Sequence, residues 1–265
     1  MAEKLTGWAL VLGASSGFGG ATALELARSG LDIFGVHLDL RSTLPHAEAV
    51  QAAIKAEGRE AVFFNMNAAD AAKRADAVDA MAKRLNESGS FIRVLLHSLA
   101  FGTLLPVIAE NPKEALGQRQ VEMTEDVMAN SLIYWAQDLV GKGLLRRGSR
   151  IYAMTSSGSS RVVRSYGAVS AAKAALESHI RQLAYELAPL GVAANAIRAG
   201  VTDTPALRRI PEGPMLLEHA KKFNPSGRAT TPEDVARAIA ALSDERLYWM
   251  TGNVIGVDGG EELSM

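Results

Sequence analysis

Cysteine is absent from the 265 residues. That excludes disulfides, thiolate metal sites and a cysteine nucleophile. An excess of one charge is missing too: 28 Lys and Arg stand against 29 Asp and Glu, a formal net charge of −1. Such a balance gives no basic field for nucleic acid and no acidic tail. No apolar run reaches the roughly 18 residues of a membrane span. The N-terminal apolar stretch is too short and too interrupted by glycine for a signal peptide. The expectation is a cytoplasmic protein with no membrane or nucleic-acid partner. The five histidines are scattered, with no pair at ligand spacing, so no metal site is expected. What is present is a 48% hydrophobic fraction, ordinary for a chain with a full core.

Short apolar runs alternate with longer helical patterns. The pattern predicts strands at 8–12, 33–37, 61–65, 93–97, 150–155, 193–198 and 254–258. It predicts helices at about 18–29, 43–57, 70–87, 124–142, 165–187 and 232–243. Several strands are apolar throughout, as strands buried on both faces must be. Thr231-Pro232-Glu233-Asp234 reads as a helix start, with Thr at the N-cap, Pro in the first position and acids in the first turn. Strand and helix in alternation imply an α/β fold: one doubly wound parallel sheet with helices on both faces. No repeat or linker interrupts it, so 1–265 reads as a single domain. The exception to the rhythm is 202–230. It carries Pro205, Pro211, Pro214 and Pro225 around a helical stretch at 215–223. An insert of that kind reads as a lid over a site.

Gly13-Ala14-Ser15-Ser16-Gly17-Phe18-Gly19 follows the first strand and opens the first helix. A dinucleotide pyrophosphate needs bare backbone N–H groups at a helix N-terminus, and a Cβ would block it. Glycine also permits the positive φ of such a turn. In this setting the turn points to cofactor binding. Tyr166 and Lys173 lie near the start of the longest helical pattern. Seven residues rotate about 700°, which puts both side chains on one face. Upstream, Ser156 falls at the C-terminal end of a strand, where a doubly wound sheet places its ligands.

These features resemble the short-chain dehydrogenase/reductase family over nearly the whole chain, which implies a Rossmann fold. Leu12 departs from the Thr that usually precedes the first glycine. Most of the family has Tyr-x3-Lys with a Ser seventeen residues before the Lys. Ser156 falls at that Ser, but Val169 stands at the usual Tyr, and the tyrosine has moved to 166, about 4.5 Å along a helix axis. Tyr-x6-Lys is similar to enoyl-acyl-carrier-protein reductases. His97-Ser98-Leu99-Ala100-Phe101 resembles a motif of the same branch, and Met128 occupies the place of the family's usual Asn, with Asn130 nearby. Against this, the branch often has a second Tyr where Ser156 stands. The closer resemblance is to a divergent, ketoreductase-like enoyl reductase.

The resemblance implies roles residue by residue. Tyr166, Lys173 and Ser156 form the catalytic set, with Lys173 also on the nicotinamide ribose. Gly13, Ser15, Ser16, Gly17, Phe18 and Gly19 take the pyrophosphate side. The backbone of His97, Ser98 and Leu99 lines the cofactor, the His97 ring being structural. Asn67 sits near adenine, Ala199 and Gly200 end the sixth strand, Thr202 meets the carboxamide and Thr204 the pyrophosphate. At the ribose 2′ position His37 falls where an acid is usual. Asp39 argues for NAD and Arg41 for a 2′-phosphate; the missing acid tips the expectation to NADP, with NAD as the alternative.

The implied reaction is reduction of the double bond of a trans-2-enoyl thioester. Charge then develops on an oxygen two carbons from the hydride acceptor, so the oxygen's donor must sit farther from the nicotinamide than in a ketone reductase. A 3-ketoacyl or other carbonyl reductase is the rival. A catalytically silent NADP-binding regulator is the reading from another class. Arg208, Arg209, Lys221, Lys222 and Arg228 could dock an acidic acyl carrier protein, and the family implies a homotetramer.

Overall fold

The computed structural model describes residues 4–264; residues 1–3 and 265, which the single-domain span includes, lie outside the described residues. Seven strands form one parallel sheet: β1 (Trp8–Leu12), β2 (Asp32–His37), β3 (Ala61–Asn65), β4 (Ile92–His97), β5 (Arg150–Thr155), β6 (Ala193–Ala199) and β7 (Val254–Val257). Their order is β3-β2-β1-β4-β5-β6-β7, and every neighbouring pair is parallel. The order reverses between β1 and β4, which makes the C-terminal ends of those two strands the place for a ligand.

Helices cover both faces. On one face lie α1 (Gly17–Arg28), α2 (Leu44–Ala56) and α8 (Pro232–Leu242). They close a core around Val11, Leu26, Ile33, Leu96, Tyr152 and Ile239. On the other lie α3 (Ala71–Ser88), α5 (Ser131–Gly141) and α6 (Gly167–Leu187), over Leu10, Leu95, Trp135, Ile151, Leu176 and Ile180. Trp135 is wholly buried, and its indole N–H donates to the Ala68 carbonyl at 2.9 Å, which satisfies its single polar atom. α8 starts as its sequence demands. The Asp234 N–H donates to Thr231 Oγ1, the Thr231 N–H donates back to Asp234, and Pro232 fills the first position, where no N–H is needed.

The helix expected at 124–142 begins earlier and is not continuous. α4 (Gln118–Glu125) runs into a π-helical turn at Asp126–Asn130 and then into α5. The 202–230 segment contains a short 3-10 turn at Leu207–Arg209 and α7 (Gly213–Phe223).

Candidate functional site

The glycine turn and the end of β4 meet at the reversal point. The Gly13 and Ala14 N–H groups donate to the Val36 carbonyl, and the Ser98 N–H donates to the Leu12 carbonyl at 2.8 Å. Gly13 has φ of +93°, and a Cβ there would stand 2.4 Å from the Ser98 carbonyl oxygen. A Cβ on Gly19 would stand 2.0 Å from the Gly13 carbonyl oxygen. Both positions need glycine for space. The Ser98 main chain therefore packs directly on the turn, and Leu99 lies beside it. Ser16 precedes α1 in extended conformation without bonding the helix through its side chain. The first-turn N–H groups of α1 are thus left for a ligand. Phe18 is turned into the core beneath. Thr204 is buried, with its methyl 3.6 Å from where a Gly17 Cβ would lie, so the loop after β6 leans over the same turn. A dinucleotide pyrophosphate fits this cradle, whose backbone an added Cβ at Gly13 or Gly19 would force apart.

His37 is the last residue of β2, and Asp39 follows two residues on. The His37 side chain is buried and its Nδ1 lies 2.9 Å from Asp39 Oδ2. Burial pushes the Asp39 carboxyl up, but hydrogen bonds from Thr43, Ser15 and His37 outweigh it and hold the group below its ordinary value. Asp39 therefore presents a carboxylate against Ser15 of the glycine turn. Its own backbone is fixed by Asn65, which accepts from the Asp39 N–H and donates to its carbonyl. His37 supports the acid instead of replacing it. Arg41 is exposed two residues farther on. Asn67 spends its side-chain oxygen on the Ala69 N–H at 3.0 Å.

Tyr166 lies outside α6, at its N-cap, with φ −99° and ψ 4°, so the helical phase counted to Lys173 starts one residue too early. Ser165 just before it has φ +57°, the one non-glycine residue with positive φ among the described residues. That conformation costs about 1 kcal/mol and turns the chain into the helix. Gly158 makes room for the ring: a Cβ there would stand 2.6 Å from Tyr166 Cε1 and 3.2 Å from Ser156 Oγ. Nothing in the local sequence marks that glycine as the neighbour of the tyrosine ring. Burial pushes the Tyr166 phenol above its ordinary value, and the neighbouring Ser156 hydroxyl pulls the other way. Ser156 Oγ is itself buried and makes no hydrogen bond of regular geometry.

Lys173 is buried, and its Nζ donates to the Met154 carbonyl at 2.7 Å. Burial brings the ammonium down to about 8, with Glu177 acting in the opposite direction. Glu177 in turn accepts from Thr155 Oγ1 at 2.6 Å. Val169 and Met128 are both buried, and they converge. A Cβ on Gly102 would stand 2.7 Å from Val169 Cγ2 and 2.9 Å from Met128 Sδ. The two places where the resemblance implies a tyrosine and an asparagine thus hold packed apolar groups.

Ala199, the last residue of β6, packs on the core; after it Gly200 sits against Thr230 and Glu261, and the Thr202 hydroxyl donates to the Gly200 carbonyl at 2.9 Å. The basic residues of 202–230 are partly neutralised in place. Arg208 forms a two-pronged pair with Asp203, Arg228 with Asp234, and Lys221 pairs with Glu218.

Dinucleotide-dependent oxidoreductases are built on this plan. The family model described as enoyl-(acyl carrier protein) reductase matches residues 13–262. A 3-oxoacyl-(acyl-carrier-protein) reductase of Aggregatibacter actinomycetemcomitans is 30% identical over 255 residues, covering 95% of this chain and 97% of its own. An NADH-type enoyl-(acyl-carrier-protein) reductase of Aquifex aeolicus is 32% identical over 188 residues, 68% of this chain and 66% of its own. Among solved structures, a short-chain dehydrogenase of Burkholderia cenocepacia J2315 in complex with NADP superposes with a TM-score of 0.82 at 25% identity, covering 98% of this chain and 99% of its own. The chain belongs to the short-chain dehydrogenase/reductase family of oxidoreductases, in its enoyl-(acyl carrier protein) reductase-like branch.

Proposed function

We propose that this chain reduces the carbon–carbon double bond of a trans-2-enoyl thioester, carried on acyl carrier protein or coenzyme A, with NADH as donor. The observation that carries the reading is the convergence of Val169 and Met128 on Gly102. It leaves no phenol or amide where a ketone reductase of the family keeps its proton relay, and puts the phenol one turn earlier, at the α6 N-cap. When bound, the nicotinamide supplies hydride. Tyr166 then offers its hydroxyl to the thioester oxygen on which charge develops. Lys173 lends positive charge behind it while protonated. Segment 202–230 closes over the acyl chain and excludes water.

The choice of NADH departs from the NADPH expected from the sequence. Asp39 supports it, because a carboxylate facing Ser15 accepts from a ribose hydroxyl and repels a 2′-phosphate. The free edge of β7, flanked by exposed Tyr185, Trp249 and Val254, supports the subunit contacts of a homotetramer.

The test feeds the purified chain crotonyl and acetoacetyl thioesters with each nicotinamide and follows its absorbance. Crotonyl thioester should be reduced with NADH, and Tyr166→Phe should slow this by about a hundredfold or more while still binding NADH. Consumption of acetoacetyl thioester alone would overturn the reading. That second reading, a 3-ketoacyl reductase, has one observation in its favour: the unengaged Ser156 hydroxyl beside the Tyr166 phenol.

A further inference from the structure

His97 ends β4 with its ring wholly buried on the face covered by α5 and α6. Its Nε2 lies 2.9 Å from Ser131 Oγ. Ser131 Oγ lies 2.8 Å from the Val127 carbonyl oxygen, in the π-helical turn. A hydroxyl has one proton and a carbonyl has none. The Ser131 proton must therefore lie on the Val127 side, since two oxygens at that distance need a proton between them. The proton in the His97–Ser131 contact must then come from Nε2. This fixes the tautomer: His97 is Nε2–H, and Nδ1 is a bare lone pair. Nδ1 is buried and has no hydrogen-bond partner in the protein.

An unfilled buried acceptor is costly, and a donor is near: His97 pairs with Ala153 across β4 and β5, and Lys173 bonds the carbonyl of the next β5 residue. The Lys173 ammonium has three N–H groups, and the Met154 carbonyl takes one. We propose that His97 Nδ1 is a second acceptor for the Lys173 ammonium through one ordered water, making His97 and Ser131 positioning residues for Lys173. The assignment rests on the reading of Lys173 as part of the reactive site. It gives the π-helical turn a task. The turn presents the Val127 carbonyl, which claims the Ser131 proton, which sets the His97 tautomer, which leaves Nδ1 free to accept. With Met128 in place of the family's asparagine, this chain reaches Lys173 by another route.

The electrostatics agree. Burial, and then the Lys173 charge, bring the His97 imidazolium down to about 3, with the His97 and Val127 carbonyls acting in the opposite direction. The ring is thus a neutral acceptor at any working pH. The ionisable groups that act on this pair are Glu177, on the next turn of α6, which acts on Lys173, and His179, which acts on His97 and whose Nε2 lies 3.1 Å from Asn130 Oδ1.

The test uses the full chain labelled with nitrogen-15 at histidine and reads ring tautomers from long-range proton–nitrogen spectra, with His97→Gln giving the assignment. His97 should be Nε2–H and stay neutral from pH 5 to 8. Lys173→Met should move the Nδ1 resonance toward that of an acceptor without a partner. Ser131→Ala should populate the Nδ1–H tautomer and carry the alkaline limb of NADH binding to lower pH by about half a unit, and Ser131→Thr should restore both. An Nδ1–H tautomer in the parent protein overturns the proposal. So does an Nδ1 resonance indifferent to Lys173→Met in a folded variant; should that variant not fold, an NADH-binding limb unmoved by Ser131→Ala overturns it. None of these readings depends on which thioester is reduced, so failure of the enoyl reading leaves the test intact.

Discussion

Both carboxylate oxygens of Glu261 accept the Val201 N–H, each at 3.1 Å. Val201 precedes Thr202 in the loop after β6, and Glu261 belongs to the 3-10 turn beyond β7. The C-terminal segment therefore fixes the loop that leans over the glycine turn. Burial pushes the Glu261 carboxyl up, the Val201 N–H lowers it, and Asp258 raises it again. An acid whose folded value is raised costs stability once pH exceeds that value and costs nothing below the unfolded one. Glu261→Gln should therefore be at least as stable as the parent at pH 7, with the difference shrinking toward pH 4. Glu261→Ala should weaken NADH binding by loosening the loop. Thermal melts across pH and a fluorescence titration check both, and a Gln variant far less stable at pH 7 contradicts the argument.

Gly19 makes a simpler prediction. A Cβ there meets the Gly13 carbonyl oxygen at 2.0 Å, a backbone atom that cannot swing aside. Gly19→Ala should lower dinucleotide affinity by about a hundredfold, the usual consequence of misplacing a binding group by an ångström. Gly58→Ala, at an exposed position with nothing within 4 Å, should leave binding unchanged.

What was legible in the sequence depended on range. All seven strands begin and end within a residue of their expected bounds, because strands buried on both faces read as continuous apolar runs. The Thr231 cap was legible because a capping box is local. The early start of α4 was not, since Gly117 caps it without a side chain and its residues are mostly polar. The π-helical turn leaves no periodicity to count. At the site, the spacing placed Tyr166, Lys173 and Ser156, but it could not show that Tyr166 stands outside the helix. Asp39 facing Ser15, Glu261 holding Val201 and His97 bonding Ser131 join residues 24 to 60 positions apart. Such contacts exist only once the sheet has brought its strand ends together.

Lys173 couples stability to pH. Its ammonium falls from the ordinary 10.5 to about 8 in the fold. Between those values the unfolded chain binds more protons, so this residue makes stability rise as pH climbs from about 8 to 10.5. Below that window the buried charge costs about 3 kcal/mol. Relative to the parent, Lys173→Met should therefore gain about that much at pH 7 compared with pH 10.5. Denaturant titrations at the two pH values measure the difference. Equal differences at both would mean that the buried lysine keeps its ordinary proton affinity.

On the proposed reading, Asp39 sets the choice of dinucleotide. Its carboxylate is held between Ser15, Thr43 and His37, and Arg41 is exposed to solvent. A 2′-phosphate brought to that carboxylate meets like charge, and a ribose hydroxyl meets an acceptor. Asp39→Asn keeps the shape and removes the charge. It should raise NADPH affinity about tenfold, equivalent to about 1.4 kcal/mol, and weaken NADH by a smaller factor. Asp39→Asn with Arg41→Ala should lose most of that gain, because Arg41 is then no longer available to pair with the phosphate. Fluorescence titrations of the four protein–nucleotide combinations for the parent and single variant, and of NADPH with the double variant, decide the matter. Tighter binding of NADPH than of NADH by the parent would show that the loop turns Arg41 inward and Asp39 away when the nucleotide is present.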